Sequence, residues 1–274
     1  MHKLISALAI GLGFMASAQA DDCRHSADRS ATADAAGIVR VVIGAGAGDL
    51  NVYGQSDASR VQASGKACAS SAELLTQIQI DSRREGDTLY LKTLMPNSMD
   101  GGLFLNVYAT LDLSIRVPDS VAIELEDSSG DIELRRVKSA IVADSSGDIE
   151  IEDITGDLDV SDSSGDIEIE RVAGNLKVKD SSGDMELREI RGHVEIPVDS
   201  SGDIDIVQAG SVHIHQDTSG GIVIRRVNRD VRIDTDSSGD IDVAEVGGNF
   251  SVGADGSGSI RQAKVLGTVE LPPE

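Results

Sequence analysis

One phrase, Asp-Ser-Ser-Gly-Asp-Ile, returns through the second half of the chain at a nearly fixed interval, and that period constrains the fold more than any other feature. It stands intact from Asp127, Asp144, Asp162, Asp199 and Asp236, and with Met185 in place of isoleucine from Asp180. Two looser copies start at Asp217 and Asp255. The glycines Gly130, Gly147, Gly165, Gly183, Gly202, Gly220, Gly239 and Gly258 lie 17 to 19 residues apart. Apolar residues hold fixed places within each period, as in Ile167, Ile169, Val172, Leu176 and Val178, or Met185, Leu187, Ile190, Val194 and Ile196. Two alternating pairs bounded by Gly, Ser and Asp predict two short strands and two turns per unit.

Five aliphatic residues cannot enclose a core, but units stacked in register share one. The predicted fold is therefore all-β, a single-stack β-solenoid with two short parallel-stacked strands per coil of about 18 residues. At about 4.8 Å per coil, eight coils make a rod about 38 Å long. The turn chemistry agrees. Aspartate accepts from the amide two residues on, and glycine takes a positive φ without steric cost.

Stacking also predicts which side chains form rows in solvent. One row holds Asp131, Asp148, Asp166, Asp184, Asp203, Gly221, Asp240 and Ser259, and the next holds Glu133, Glu150, Glu168, Glu186, Asp205, Val223, Asp242 and Arg261. Like charges in register repel, whereas the mixed rows Arg136, Asp153, Arg171, Glu189 and Asp159, Lys177, Glu195, His213, Arg232 gain from opposite neighbours. The repeated acids Asp131, Glu133, Asp148, Glu150, Asp166, Glu168, Asp184 and Glu186 form a flat carboxylate lattice. It offers calcium oxygen ligands from one side only, and so weak cation sites, since calcium takes six to eight oxygens. The same row also serves solubility, or meets a basic protein partner.

Residues 1–20 read as a signal peptide: Lys3, an apolar stretch from Leu4 to Met15, and Ala18-Gln19-Ala20 before a mature start at Asp21. The apolar stretch is shorter than the roughly 18 residues that span a bilayer, so the expected product is periplasmic or secreted, without membrane insertion. An oxidising compartment lets the two cysteines, Cys23 and Cys68, close a disulfide. The formal charge of −23 disfavours nucleic acid and anionic lipid and leaves cations and basic partners open. Residues 21–36 read as a linker, 37–120 as irregular coils that close the N-terminal end, 121–271 as the regular repeats, and 272–274 as a tail. Met95 to Gly102 reads as a protruding loop. Leu271-Pro272-Pro273-Glu274 should end strand pairing at the other end.

The early unit Gly48-Asp49-Leu50-Asn51-Val52-Tyr53-Gly54, the strand Leu113-Ser114-Ile115-Arg116-Val117-Pro118 and the Ser-Gly-Asp-Ile repeats that follow resemble a bacterial family of putative adhesins of unknown function. The resemblance covers about Gly37 to Leu271. It implies an exported β-solenoid and carries over no functional residues.

Other chemistry finds less support. Solenoids host carbohydrate-active enzymes, yet a catalytic acid pair stands out from a pattern, and here the acids are the pattern. The serines have no recurring base beside them. The aromatic stacking that holds sugars is missing from a repeat region whose aromatic, Phe250, falls at a core position. His213 and His215 flank Ile214 at a spacing that could share a metal, but no cysteine or third histidine completes a set, which leaves two solvated strand residues. The sequence thus predicts a non-enzymatic, adhesin-like binding or structural module of the bacterial envelope with no cofactor beyond weak calcium. A carbohydrate-active or metal-dependent enzyme on the same scaffold is the alternative.

Overall fold

The computed structural model describes residues 23–96 and 107–273. The expected leader at 1–20, the start at Asp21 and most of the loop expected at Met95 to Gly102 lie outside these residues. The described chain is nearly all β-strand in one sheet that winds into a solenoid, and its one short helix is Ala72–Gln77.

Each repeat gives two strands because its aliphatic residues alternate only briefly before a turn interrupts them. In one coil these are Ile167–Val172 and Leu176–Lys179. Equivalent strands pair in parallel and in register. Ile149 faces Ile167, Ile167 faces Met185, and Met185 faces Ile204 on the first face. On the second face Leu158 faces Leu176, which faces Val194. The inward-facing residues of these ladders are each no more than 2% exposed, and Phe250 is fully buried. Burial of apolar surface at about 25 cal/mol per Å2 drives the stacking.

The conserved spacing of the turn glycines reflects close approach as well as backbone freedom. Gly165 has φ +135°, and a Cβ there would lie 1.9 Å from the Gly147 carbonyl oxygen of the preceding coil. A different device bends the chain near the end of the first strand. Arg136, Asp153, Arg171, Glu189, Gln208, Arg226, Glu245 and Lys264 all hold φ between 56° and 68°, an unusual conformation for residues other than glycine. Side chains on neighbouring coils offset that strain: Arg171 Nε lies 2.7 Å from Asp153 Oδ1, and Lys264 Nζ 2.7 Å from Glu245 Oε1.

The N-terminal region does not add coils in chain order. Leu50–Gln55 lies between Ala109–Pro118 and Ile132–Arg135, and Arg40–Gly44 lies between Thr88–Leu94 and Ala122–Glu126, all in parallel. An early coil is thus sandwiched by two later ones. Beyond it the pairing becomes antiparallel: Arg60–Ala69 on Ala109–Pro118, His25–Asp34 on Arg60–Ala69, and Gln79–Glu85 on Thr88–Leu94. The helix, capped by Ser71 accepting from the Leu74 amide at 3.2 Å, covers a small second core of Ala67, Ala69, Ile78, Ala109 and Leu111. Arg29 donates to the carbonyls of Ile78 and Leu75 at 2.6 and 2.7 Å, which holds the helix against the outer strand. Cys23 and Cys68 are disulfide-bonded, with their Cα atoms 5.6 Å apart.

Candidate functional site

The first face presents the acidic rows. Asp131, Glu133, Asp148, Glu150, Asp166, Glu168, Asp184 and Glu186 line one open trough, joined by Asp49 and Asn51 of the coil before. The two rows differ in role. Each aspartate accepts the backbone amide of its counterpart one coil on: Asp148 to Asp131 at 3.1 Å, Asp166 to Asp148 at 3.0 Å, Asp184 to Asp166 at 2.9 Å, Asp203 to Asp184 at 2.8 Å. One oxygen of each acceptor is therefore committed to holding coils together.

The glutamates are partly neutralised by a third outward row that the sequence reading passed over, Arg135, Glu152, Glu170 and Arg188. Arg135 lies 2.6 Å from both Glu133 and Glu150, Arg171 lies 2.7 Å from Glu152, and Arg188 pairs with Glu186. The lattice is less of an electrostatic cost than its own two rows suggest. Repulsion is still felt at Glu150, whose carboxyl is pushed up by burial, with Glu133, Glu152 and Glu168 adding to the effect and Arg135 opposing it.

A second carboxylate column lies inside the rod. The turn aspartates Asp127, Asp144, Asp162, Asp180, Asp199, Asp217 and Asp236 are buried, one per coil. Amides of Ser181 and Ser182 donate to Asp180 at 2.6 and 3.3 Å, and that of Ser238 to Asp236 at 3.1 Å, which is the turn bond expected from the sequence. Burial pushes Asp127 and Asp217 up to about 7 and Asp162 and Asp199 up to about 6, and it raises Asp144, Asp180 and Asp236 as well.

The second face carries a row of mixed sign in register, Asp159, Lys177, Glu195, His213 and Arg232. Toward the N-terminal end an open depression is lined by Arg40, Glu124, Ile141, Asp159, Lys177 and His193, among others. Ile141 is 57% exposed at this place, an apolar contact point among charges. Farther along, His213 and His215 project from either side of fully buried Ile214, and Asp234 arrives beside them from the next coil. Sequence reasoning looked for a cysteine or histidine to complete this pair. The register supplies a carboxylate 19 residues downstream of His215 instead. Its signal was available in the repeat spacing, which places Asp234 alongside His215.

Parallel in-register coils, turn glycines packed against one another and two open outer faces define a β-solenoid. The chain belongs to the Toastrack DUF4097 family, which matches residues 41–264. A putative adhesin from Parabacteroides merdae ATCC 43184 has a similar crystal structure, with 90% of this chain and 96% of that one covered, a TM-score of 0.54 and 16% identity. A putative lipid binding protein from Parabacteroides distasonis ATCC 8503 covers 90% and 97%, with a TM-score of 0.49 and 18% identity. For a putative adhesin from Bacteroides fragilis NCTC 9343 the figures are 91% and 98%, 0.40 and 15%. Likeness at these identities concerns the fold. Among curated proteins, none matches the sequence.

Proposed function

We propose that this chain is an exported, non-enzymatic β-solenoid that acts as an adhesin-like binding or structural module of the bacterial envelope. The observation that carries the proposal is the first face: a regular carboxylate trough on a rigid, continuously hydrogen-bonded rod. Repetition argues for an extended contact over a reaction centre, because each acid has near-equivalents one coil away and catalysis needs a pair whose environments differ. The partner such a surface fits is a basic segment of an envelope protein or surface ligand, with calcium held weakly by the oxygens that the amide ladder leaves free. The neighbouring structures described as adhesins agree with this reading. The leader and the compartment follow from Lys3, Leu4 to Met15 and Ala18-Gln19-Ala20.

Two experiments test it. Fractionation of cells producing the full chain should place it in the periplasm or medium with Asp21 at its N-terminus; retention in the cytosol with Met1 intact refutes export. Pull-down of envelope proteins and glycans with immobilised wild type and with a Glu133→Gln/Glu150→Gln/Glu168→Gln/Glu186→Gln variant, with and without calcium, tests the face. Retention of a basic ligand by wild type and its loss in the variant supports the proposal. Equal retention, or none, contradicts it.

A further inference from the structure

The cluster on the second face has the donors and the spacing of a transition-metal site. His213 Nε2 lies 2.9 Å from Asp234 Oδ2, and His215 Nδ1 lies 3.4 Å from the same oxygen. The ligand atoms of these three residues all lie within 4.8 Å of one another, and they are the group of this kind found among the described residues. Zinc bound tetrahedrally at about 2.0–2.1 Å sets its ligand atoms about 3.3 Å apart, close to these separations.

The local fold explains the convergence. Ile214 faces the core, so the residues on either side of it face out, and their rings stack with centroids 3.9 Å apart. The next coil pairs Ile214 with Ile233 and Gln216 with Thr235, which sets Asp234 beside His215. Arg232 Nε donates to Asp234 Oδ1 at 2.5 Å, which orients the carboxylate and leaves Oδ2 for the imidazoles. Glu195, one coil earlier, lies 3.3 Å from the other nitrogen of His215.

Glu195 lies against Nε2 of His215 and Asp234 Oδ2 against its Nδ1. Glu195 is thus placed to accept an Nε2–H while Nδ1 presents its lone pair to an ion, the outer-shell arrangement common to metal-bound histidines. Two imidazoles and one carboxylate suit a divalent ion of the zinc class and not calcium or magnesium, which take oxygen ligands. We infer that His213 Nε2, His215 Nδ1 and Asp234 Oδ2 bind one divalent transition-metal ion, with Glu195 positioning His215 and a fourth coordination position open to solvent. The site lies on the other face from the acidic trough and does not depend on what that trough binds.

The test is calorimetric titration of the mature chain with zinc chloride in millimolar calcium, backed by the visible absorption of cobalt(II). One saturable ion per chain is expected, with the intense bands of four-coordinate cobalt. His213→Ala/His215→Ala should abolish binding, Asp234→Asn should weaken it at least tenfold, and Glu195→Gln should weaken it about tenfold or more. His193→Ala, a histidine one coil earlier, should leave it unchanged. All these side chains face outward, so far-UV circular dichroism and melting of the variants should match wild type. Absence of saturable zinc binding, or binding that survives in the double histidine variant, overturns the assignment.

Discussion

Replacing one buried turn aspartate by its amide isostere should stabilise the rod above neutral pH and do nothing in acid. Asp217 is the best position. It is fully buried, and Asp199 and Asp236 flank it on adjacent coils. Burial pushes its carboxyl from the ordinary 3.8 to about 7, and the two neighbouring aspartates raise it further against the pull of the Thr218 and Ser219 amides. As pH rises, the unfolded chain releases this proton first, near 3.8, while the folded rod keeps it until about 7. The carboxyl's contribution to stability is therefore complete below pH 3.8 and is lost progressively up to pH 7. Each pH unit in that window is worth about 1.4 kcal/mol, which sets a ceiling of about 4 kcal/mol. Water reaching the turn and protons shared along the column reduce the effect, so Asp217→Asn should gain about 2 kcal/mol at pH 8.5. Urea denaturation at pH 8.5 and pH 4.0 measures it. An unchanged or lower midpoint for Asp217→Asn at pH 8.5, or an equal gain at both pH values, refutes the reasoning.

Three further outcomes follow from the same geometry. Gly165→Ala puts a Cβ 1.9 Å from a carbonyl oxygen of the preceding coil and should lose about 3 kcal/mol or more, whereas Gly86→Ala, with nothing within 4 Å, should lose about 1 kcal/mol; thermal melting compares the two. Opening the Cys23–Cys68 bridge, which spans 45 residues, with Cys23→Ser/Cys68→Ser should cost about 2–4 kcal/mol, and added reductant should lower the wild-type melting temperature but not the variant's. If the trough binds calcium with a Kd of about 1 mM, about 10 mM calcium should stabilise wild type by about 1.4 kcal/mol and leave Glu133→Gln/Glu150→Gln/Glu168→Gln/Glu186→Gln unaffected in a melting assay.

The parts of this structure legible in the sequence are those that repeat. Ile167, Ile169, Val172, Leu176 and Val178 sit on the core because alternation fixes which way each side chain points, and the period fixes what lies above and below it. Phe250 fell into place by the same rule. What escaped depends on distances that a period does not encode. The turn aspartates were legible as turn formers, but their burial follows from how tightly glycines such as Gly147 and Gly165 bring the turns together. The amide ladder from Asp131 to Asp203 requires each side chain to reach across to the next coil. The neutralising arginines Arg135 and Arg188 immediately precede Arg136 and Glu189, whose φ of 56° no local motif announces in a non-glycine residue. Interleaving of Leu50–Gln55 between later strands is a long-range choice, set by pairing at the N-terminal end. Asp234 was missed for a simpler reason. A metal set was sought along one strand, while in a solenoid neighbours on one face come from successive coils.

The central claim is that equivalent residues rise along the rod at one strand spacing per coil. Spin labels on cysteines introduced at Glu133 and, in separate proteins, at Asp205, Asp242 or Arg261 test it directly, since the native cysteines are already paired. Register places these positions four, six and seven coils from Glu133. Pulsed dipolar spectroscopy should return narrow distributions near about 19, 29 and 34 Å, a constant increment of about 4.8 Å per coil. Broad distributions, or distances that fail to grow in proportion to coil number, contradict it.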